Sequence, residues 1–131
     1  MAHPVVLVYS HRPEIREQIK LAVGRRPAPD LDRIEFLDCS TIGQVLQSVA
    51  ANEADVVILD GEAQPSGGMG ISRQLHLEHD NPPPVVLVVR RDADRWLATW
   101  SRADAVIVHP IDPVTAAATV AQVLRALPVT P

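Results

Sequence analysis

Four residues hold most of the chemistry this chain can offer: Ser10, His11, Asp60 and His109. Each follows a short apolar run, and such runs deliver the side chain that ends them to the rim of a site. In VVILDGEAQPSGGMG (residues 56–70) the run ends on the Asp60 carboxylate and breaks into a glycine-rich turn. Two chemistries are open to the set. His11, Asp60 and His109 form a two-imidazole, one-carboxylate donor set for zinc, manganese or iron rather than magnesium, although their spacing carries no local metal signature. Ser10, His11 and Asp60 have the residue types of a hydrolytic triad. Against that, neighbouring strand residues point in opposite directions, and no glycine-flanked nucleophile elbow surrounds the serine. GEAQPSGGMG (residues 61–70) lacks the Lys-Ser/Thr ending of a phosphate-binding loop and reads as a turn that can serve recognition. The plainest role of Asp60 is a loop-capping carboxylate kept by the fold, or the ion-pair partner of a protonated histidine.

These groups need a frame, and the hydrophobic pattern supplies one. Residues 4–9 (PVVLVY), 55–59 (DVVIL), 85–89 (VVLVV) and 104–108 (DAVIV) read as fully buried strands, and 33–37 (RIEFL) alternates like a strand nearer an edge. Helical spacing runs between them. Pro13 opens a first helix carrying Ile15, Ile19, Ala22 and Val23. Thr41 and Gln44 fit a capping box ahead of Val45, Leu46 and Val49. A third helix is expected over 71–79, a fourth over 93–102, and a fifth over 114–127 capped by Asp112 and Pro113. Strand and helix alternating five times predict an α/β fold, a doubly wound five-stranded parallel sheet with helices on both faces. Chemistry in such sheets gathers beyond the carboxyl ends of the strands, where Ser10, His11, Cys39, Ser40, Asp60, Val89, Arg90 and His109 fall.

Composition narrows the field. At 131 residues the chain suits one domain, and 47% hydrophobic residues with only 3% aromatics require an aliphatic core. A net charge of −4 argues against general affinity for nucleic acid or anionic membranes. Lys20 is the sole lysine and Cys39 the sole cysteine, so no intramolecular disulfide can form and a reducing cytoplasm is the expected home. Neither a signal peptide nor an apolar run of membrane-spanning length is legible.

The register of the strand ends resembles the receiver domain of bacterial response regulators over nearly the whole chain. VVLVYSHRPEIRE (5–17), DVVILD (55–60) and ADAVIVHPIDP (103–113) carry the resemblance. It implies a flavodoxin-like strand order 2-1-3-4-5 and a single domain over 1–131, with its core at about 4–127 and no output domain. The family pattern has an acidic pair where Ser10 and His11 stand, and its phosphate-accepting aspartate falls on Asp60. It has Ser or Thr at Val89, an aromatic at Val106, and Lys-Pro at His109-Pro110. It also implies a cis peptide between His109 and Pro110. The turn after Asp60 is longer than the family's, with Pro65 displaced and Gly67, Gly68 and Gly70 in place of a shorter loop.

Each departure has a chemical meaning. Magnesium takes oxygen ligands, usually more than one carboxylate. Neutral imidazole serves it poorly, and protonated imidazole repels it. A histidine replaces the family lysine only when protonated, near or below a reference pKa of about 6.5. Val89 offers no hydroxyl to a phosphoryl oxygen, and Val106 no ring to report its arrival. The expectation is an atypical stand-alone receiver, not an enzyme, binding magnesium weakly or not at all. It would act as a protein-interaction adaptor in signal transduction without aspartyl phosphorylation. A conventional phosphorelay receiver phosphorylated on Asp60, and a metal or small-ligand site at His11, Asp60 and His109, are the alternatives.

The fourth helix supplies the expected partner surface. Arg90, Arg91, Arg95 and Arg102 surround it, and Trp96 and Trp100 share one of its faces. Hydrophobic patterning turns that face toward the sheet, whereas the receiver pattern puts Ala98 inward and turns both indoles out. With the resemblance favoured, at least one indole is expected in solvent, since Trp with Arg is a composition typical of binding hot spots. Trp96, Trp100, Arg95 and Arg102 are the candidate contacts. A protein partner, or a homodimer through the fourth helix, fifth strand and fifth helix, would use them, with no nucleic acid and no membrane insertion.

Overall fold

A computed structural model describes residues 3–61 and 68–128. Five short strands alternate with helices: β1 (Val5–Tyr9), α1 (Pro13–Val23), β2 (Glu35–Cys39), α2 (Ile42–Ala50) and β3 (Val56–Asp60) form the first half. The second half holds α3 (Gly68–Glu78), β4 (Val85–Val89), a 3-10 turn (Asp92–Asp94), α4 (Trp96–Ser101), β5 (Ala105–Val108) and α5 (Pro113–Arg125). All strand pairs are parallel, in the order β2-β1-β3-β4-β5. The order reverses between β1 and β3, so the ends of those two strands frame the crevice where such sheets hold their chemistry.

Every residue of β3 and β4 is buried because helices cover both faces, which is why these strands read as unbroken aliphatic runs. Alternation sorts the side chains into two layers. Val6, Val8, Val56, Ile58, Val86, Val88 and Ile107 face α1 and α5. Leu7, Tyr9, Cys39, Val57, Leu59, Val85, Leu87 and Val89 face α2, α3 and α4. Local signals set the helix starts. The Gln44 amide donates to Thr41 Oγ1 and the Thr41 amide to Gln44 Oε1, closing the capping box. Asp112 Oδ2 accepts the Thr115 amide at 2.9 Å ahead of α5.

Most elements differ from the sequence expectation by one or two residues at an end, and three departures have an identifiable place in the fold. β2 spans Glu35–Cys39 rather than 33–37, because pairing with β1 sets its register, Val5 opposite Glu35 and Tyr9 opposite Cys39. Ile34 is buried ahead of the strand, with its amide donating to the Arg25 carbonyl, and so mimics a strand position. α3 begins at Gly68, three residues before the expected start. The helix expected over 93–102 divides into a 3-10 turn and a six-residue α4. Ion pairs of Arg95 with Asp92 and Arg91 with Asp94 hold the tight turn, and Arg102 ends α4 in the left-handed region at φ 62°.

Candidate functional site

Parallel register brings Ser10 and Asp60 together. Tyr9 pairs with Leu59, so one step further along each strand a hydroxyl meets a carboxylate. Ser10 Oγ donates to Asp60 Oδ2 at 2.9 Å, with Ser10 0% and Asp60 1% exposed. The same hydroxyl oxygen accepts the Arg12 amide at 3.2 Å, and Arg16 Nη1 donates to the Ser10 carbonyl at 2.6 Å. Arg16 reaches back from α1 and also pairs with Asp38 at 3.2 Å. Ser10 is thus used on every side, and its burial removes it from any substrate, so the hydrolytic arrangement is not assembled. His11, the next residue, is exposed.

Tyr9 and Gly61 belong to this locality although their residue types did not single them out. The Tyr9 phenol is pushed up from its ordinary pKa, first by burial and second by the charge of Asp60. Gly61 donates its amide to the Val88 carbonyl at 2.8 Å, and a Cβ there would lie 2.7 Å from that oxygen. The chain can leave β3 beside β4 only because residue 61 has no side chain. Counting both strands in register was the signal that would have found Ser10 as the partner of Asp60.

The remaining rim positions are aliphatic or backbone-bound. Val89 is buried in the layer under α3 and α4, a layer that Val106 and Val108 also pack against. The His109 amide donates to the Val89 carbonyl at 2.9 Å, its side chain is half-buried, and the His109–Pro110 peptide is cis, as the resemblance implied. Among the described residues, no three His, Cys, Asp or Glu side chains group closely enough to hold a metal ion. His11, Asp60 and His109 are therefore not gathered into the three-donor site considered from sequence. The turn at 62–67, with Pro65 and Gly67, lies outside the described residues.

No protein-family profile matches the chain. Two response regulatory proteins from strains of Mycobacterium tuberculosis are each 42% identical to it over 121 residues, covering 92% of this chain and 91% of theirs. The chain belongs to the response regulator receiver family. Solved structures agree on the fold. A response regulator from Chloroflexus aurantiacus superposes with a TM-score of 0.78 at 15% identity, over 95% of this chain and 99% of its own. The receiver domain of a Francisella response regulator gives 0.77 at 18% identity, over 94% and 98%. The chemotaxis response regulator CheY4 of Vibrio cholerae gives 0.75 at 15%, over 93% and 99%. This is a receiver domain of two-component signalling, and among its described residues no helix is long and apolar enough to cross a membrane.

The receiver's fourth helix settles the disagreement over its tryptophans. Trp96 is 64% and Trp100 50% exposed, while Leu97 and Ala98 pack on the second layer. The inward face of α4 is the small one, and the apolar periodicity of the two indoles marks the surface instead.

Proposed function

We propose that this receiver works as a protein-interaction adaptor whose conformation does not depend on magnesium-assisted phosphorylation of Asp60. One observation carries the reading: the carboxylate at the acceptor position is 1% exposed and already takes the Ser10 hydroxyl at 2.9 Å. The donor set fits magnesium poorly. Where the receiver pattern has an acidic pair, this chain has a hydroxyl turned inward onto Asp60 and an exposed imidazole. The signalling end of the domain supports the same reading, because Val89 lies sealed in apolar contacts and offers no polar group to follow a phosphoryl oxygen.

The test is intact-mass measurement after incubation with acetyl phosphate and millimolar magnesium. The adaptor reading expects the unmodified mass. Prompt gain of one phosphoryl group, abolished by Asp60→Asn, would return the chain to the conventional receivers.

A further inference from the structure

The seam between α3 and α4 carries a second feature, remote from Ser10 and Asp60 in sequence and chemistry. Ser72 Oγ donates to the Ser101 carbonyl at 2.7 Å in a buried contact, which locks the end of α4 against α3. Beside that lock, Arg73 Nη1 donates to the Trp100 carbonyl at 3.2 Å, and the guanidinium carbon lies 5.0 Å from the Trp100 ring centroid. The cation is thereby fixed over an indole face. Trp96 precedes Trp100 by one helical turn, and Leu77 follows Arg73 by one turn. Trp96, Trp100, Arg73 and Leu77 therefore lie along one side of the helix pair, and all four are exposed.

Arg73 supplies the charge of this strip. The chain is net −4, and residues 70–103 hold five arginines against four carboxylates. Two of those carboxylates, Asp92 and Asp94, are spent on Arg95 and Arg91. Arg73, Arg90 and Arg102 make no ion pair among the described residues, and neither do the remaining carboxylates, Glu78 and Asp80. Arg73 uses one of its N–H groups on Trp100 and retains the others in a fork whose plane is already held, an arrangement that favours a carboxylate. A second copy of the chain is the poorer occupant, because two-fold packing of this strip on itself would bring like charges together.

We infer that the α3–α4 strip docks an acidic protein segment bearing an apolar anchor, with the indoles taking the anchor and Arg73 a carboxylate. The inference deepens the adaptor reading and rests on it, but its test leaves Asp60 untouched. Unphosphorylated full-length chain is passed over two immobilised pools of short synthetic peptides. One pool carries Asp and Glu with Leu and Phe at helical spacing, and the other is identical except for Lys and Arg at the charged positions. Wild type should be retained by the acidic pool alone, and less as salt rises. Arg73→Glu and Trp100→Ala should each weaken retention about tenfold or more, while Arg26→Glu, on a distant loop, should not. Circular dichroism confirms that each variant is folded. Equal retention on both pools, no retention on the acidic pool, or an Arg73→Glu variant that binds as wild type would overturn the inference. So would a dimer by sedimentation that Trp100→Ala dissolves, which would give the strip to a second copy. Phosphorylation of Asp60 would sink the adaptor reading without touching the peptide result.

Discussion

Ser10 holds the position on which the chemistry of this receiver turns. Its hydroxyl donates to one oxygen of a buried carboxylate and also accepts the Arg12 amide, so removing it takes one hydrogen bond from each of two polar groups at once. Hydrogen bonds to charged groups contribute about 1.5–3 kcal/mol, and Ser10→Ala should lower stability by about that amount in urea denaturation. A loss of a few tenths would mean that the bond carries little. The converse variant tests the chemistry. Ser10→Asp with His11→Asp supplies two carboxylates beside Asp60, the oxygen-rich setting that magnesium requires. The double variant should take up a phosphoryl group from acetyl phosphate under conditions where the adaptor proposal expects none on wild type, and should lose it on Asp60→Asn. Failure of the double variant would show that the block lies elsewhere, with Val89 the next suspect. At this scale the sequence was only half legible. The residue types gave Asp60, His11 and His109 as rim groups, but which side chains meet depends on their direction, and the hydrogen bond from Ser10 to Asp60 follows from strand register rather than residue type.

At the scale of elements, close approach and capping decide where strands stop and helices begin. Gly61 leaves β3 so near β4 that an added methyl would meet the Val88 carbonyl at 2.7 Å. Gly61→Ala should therefore cost about 1–3 kcal/mol, as overpacking against an unyielding backbone does, with Gly61→Val worse. Helix α5 is held at both ends by carboxylates. Asp112 caps its start, and hydrogen bonds from the Thr115 amide and hydroxyl hold its pKa below the ordinary value. Asp30 meets Arg125 in its last turn with two contacts of 2.9 and 2.6 Å, and the Arg125 hydrogen bonds depress its pKa too. A depressed folded pKa means stability that is fully present above the unfolded aspartate value, about 3.9, and lost as pH falls through the lowered folded values. The acid limb of the stability curve below about pH 4 should thus be shallower in an Asp30→Asn, Asp112→Asn double variant than in wild type. Coincident acid limbs would remove both carboxylates from the account. Elements with a local cause were legible in advance, such as the Thr41–Gln44 box and the Asp112 cap. β2 and α4 were misplaced because their limits come from partners: β1 fixes the register of one, and paired Arg and Asp side chains tighten the turn before the other.

Across the whole molecule, the sheet separates two apolar layers, and the reporters of folding fall unevenly between inside and outside. The tryptophans sit on the surface in the native state, so their emission should be red and readily quenched by acrylamide, and should shift little on unfolding. Exposure of the indoles follows from the same layering that made them ambiguous in sequence: Leu97 and Ala98 suffice to seat α4, which frees its larger side chains for contacts outside the fold. Cys39 is the opposite case. It is 2% exposed at the carboxyl end of edge strand β2, and burial pushes its thiol above the ordinary pKa. Its carbonyl takes the Ser10 amide at 3.3 Å, and its side chain packs in the layer that holds Val45 and Val49 of α2. An edge strand opens in either of two ways, by local fraying or only with the whole sheet. If Cys39 is protected by the global fold, a stability of about 5 kcal/mol or more requires thiol labelling at least roughly a thousandfold slower than in the urea-unfolded chain. Labelling within tenfold of the unfolded rate would instead place β2 in a separately opening unit. Ser10→Ala distinguishes the two further. It destabilises the fold at the carboxyl edge, so a globally protected Cys39 must react faster by the factor that the urea experiment gives, whereas a locally fraying one keeps its rate.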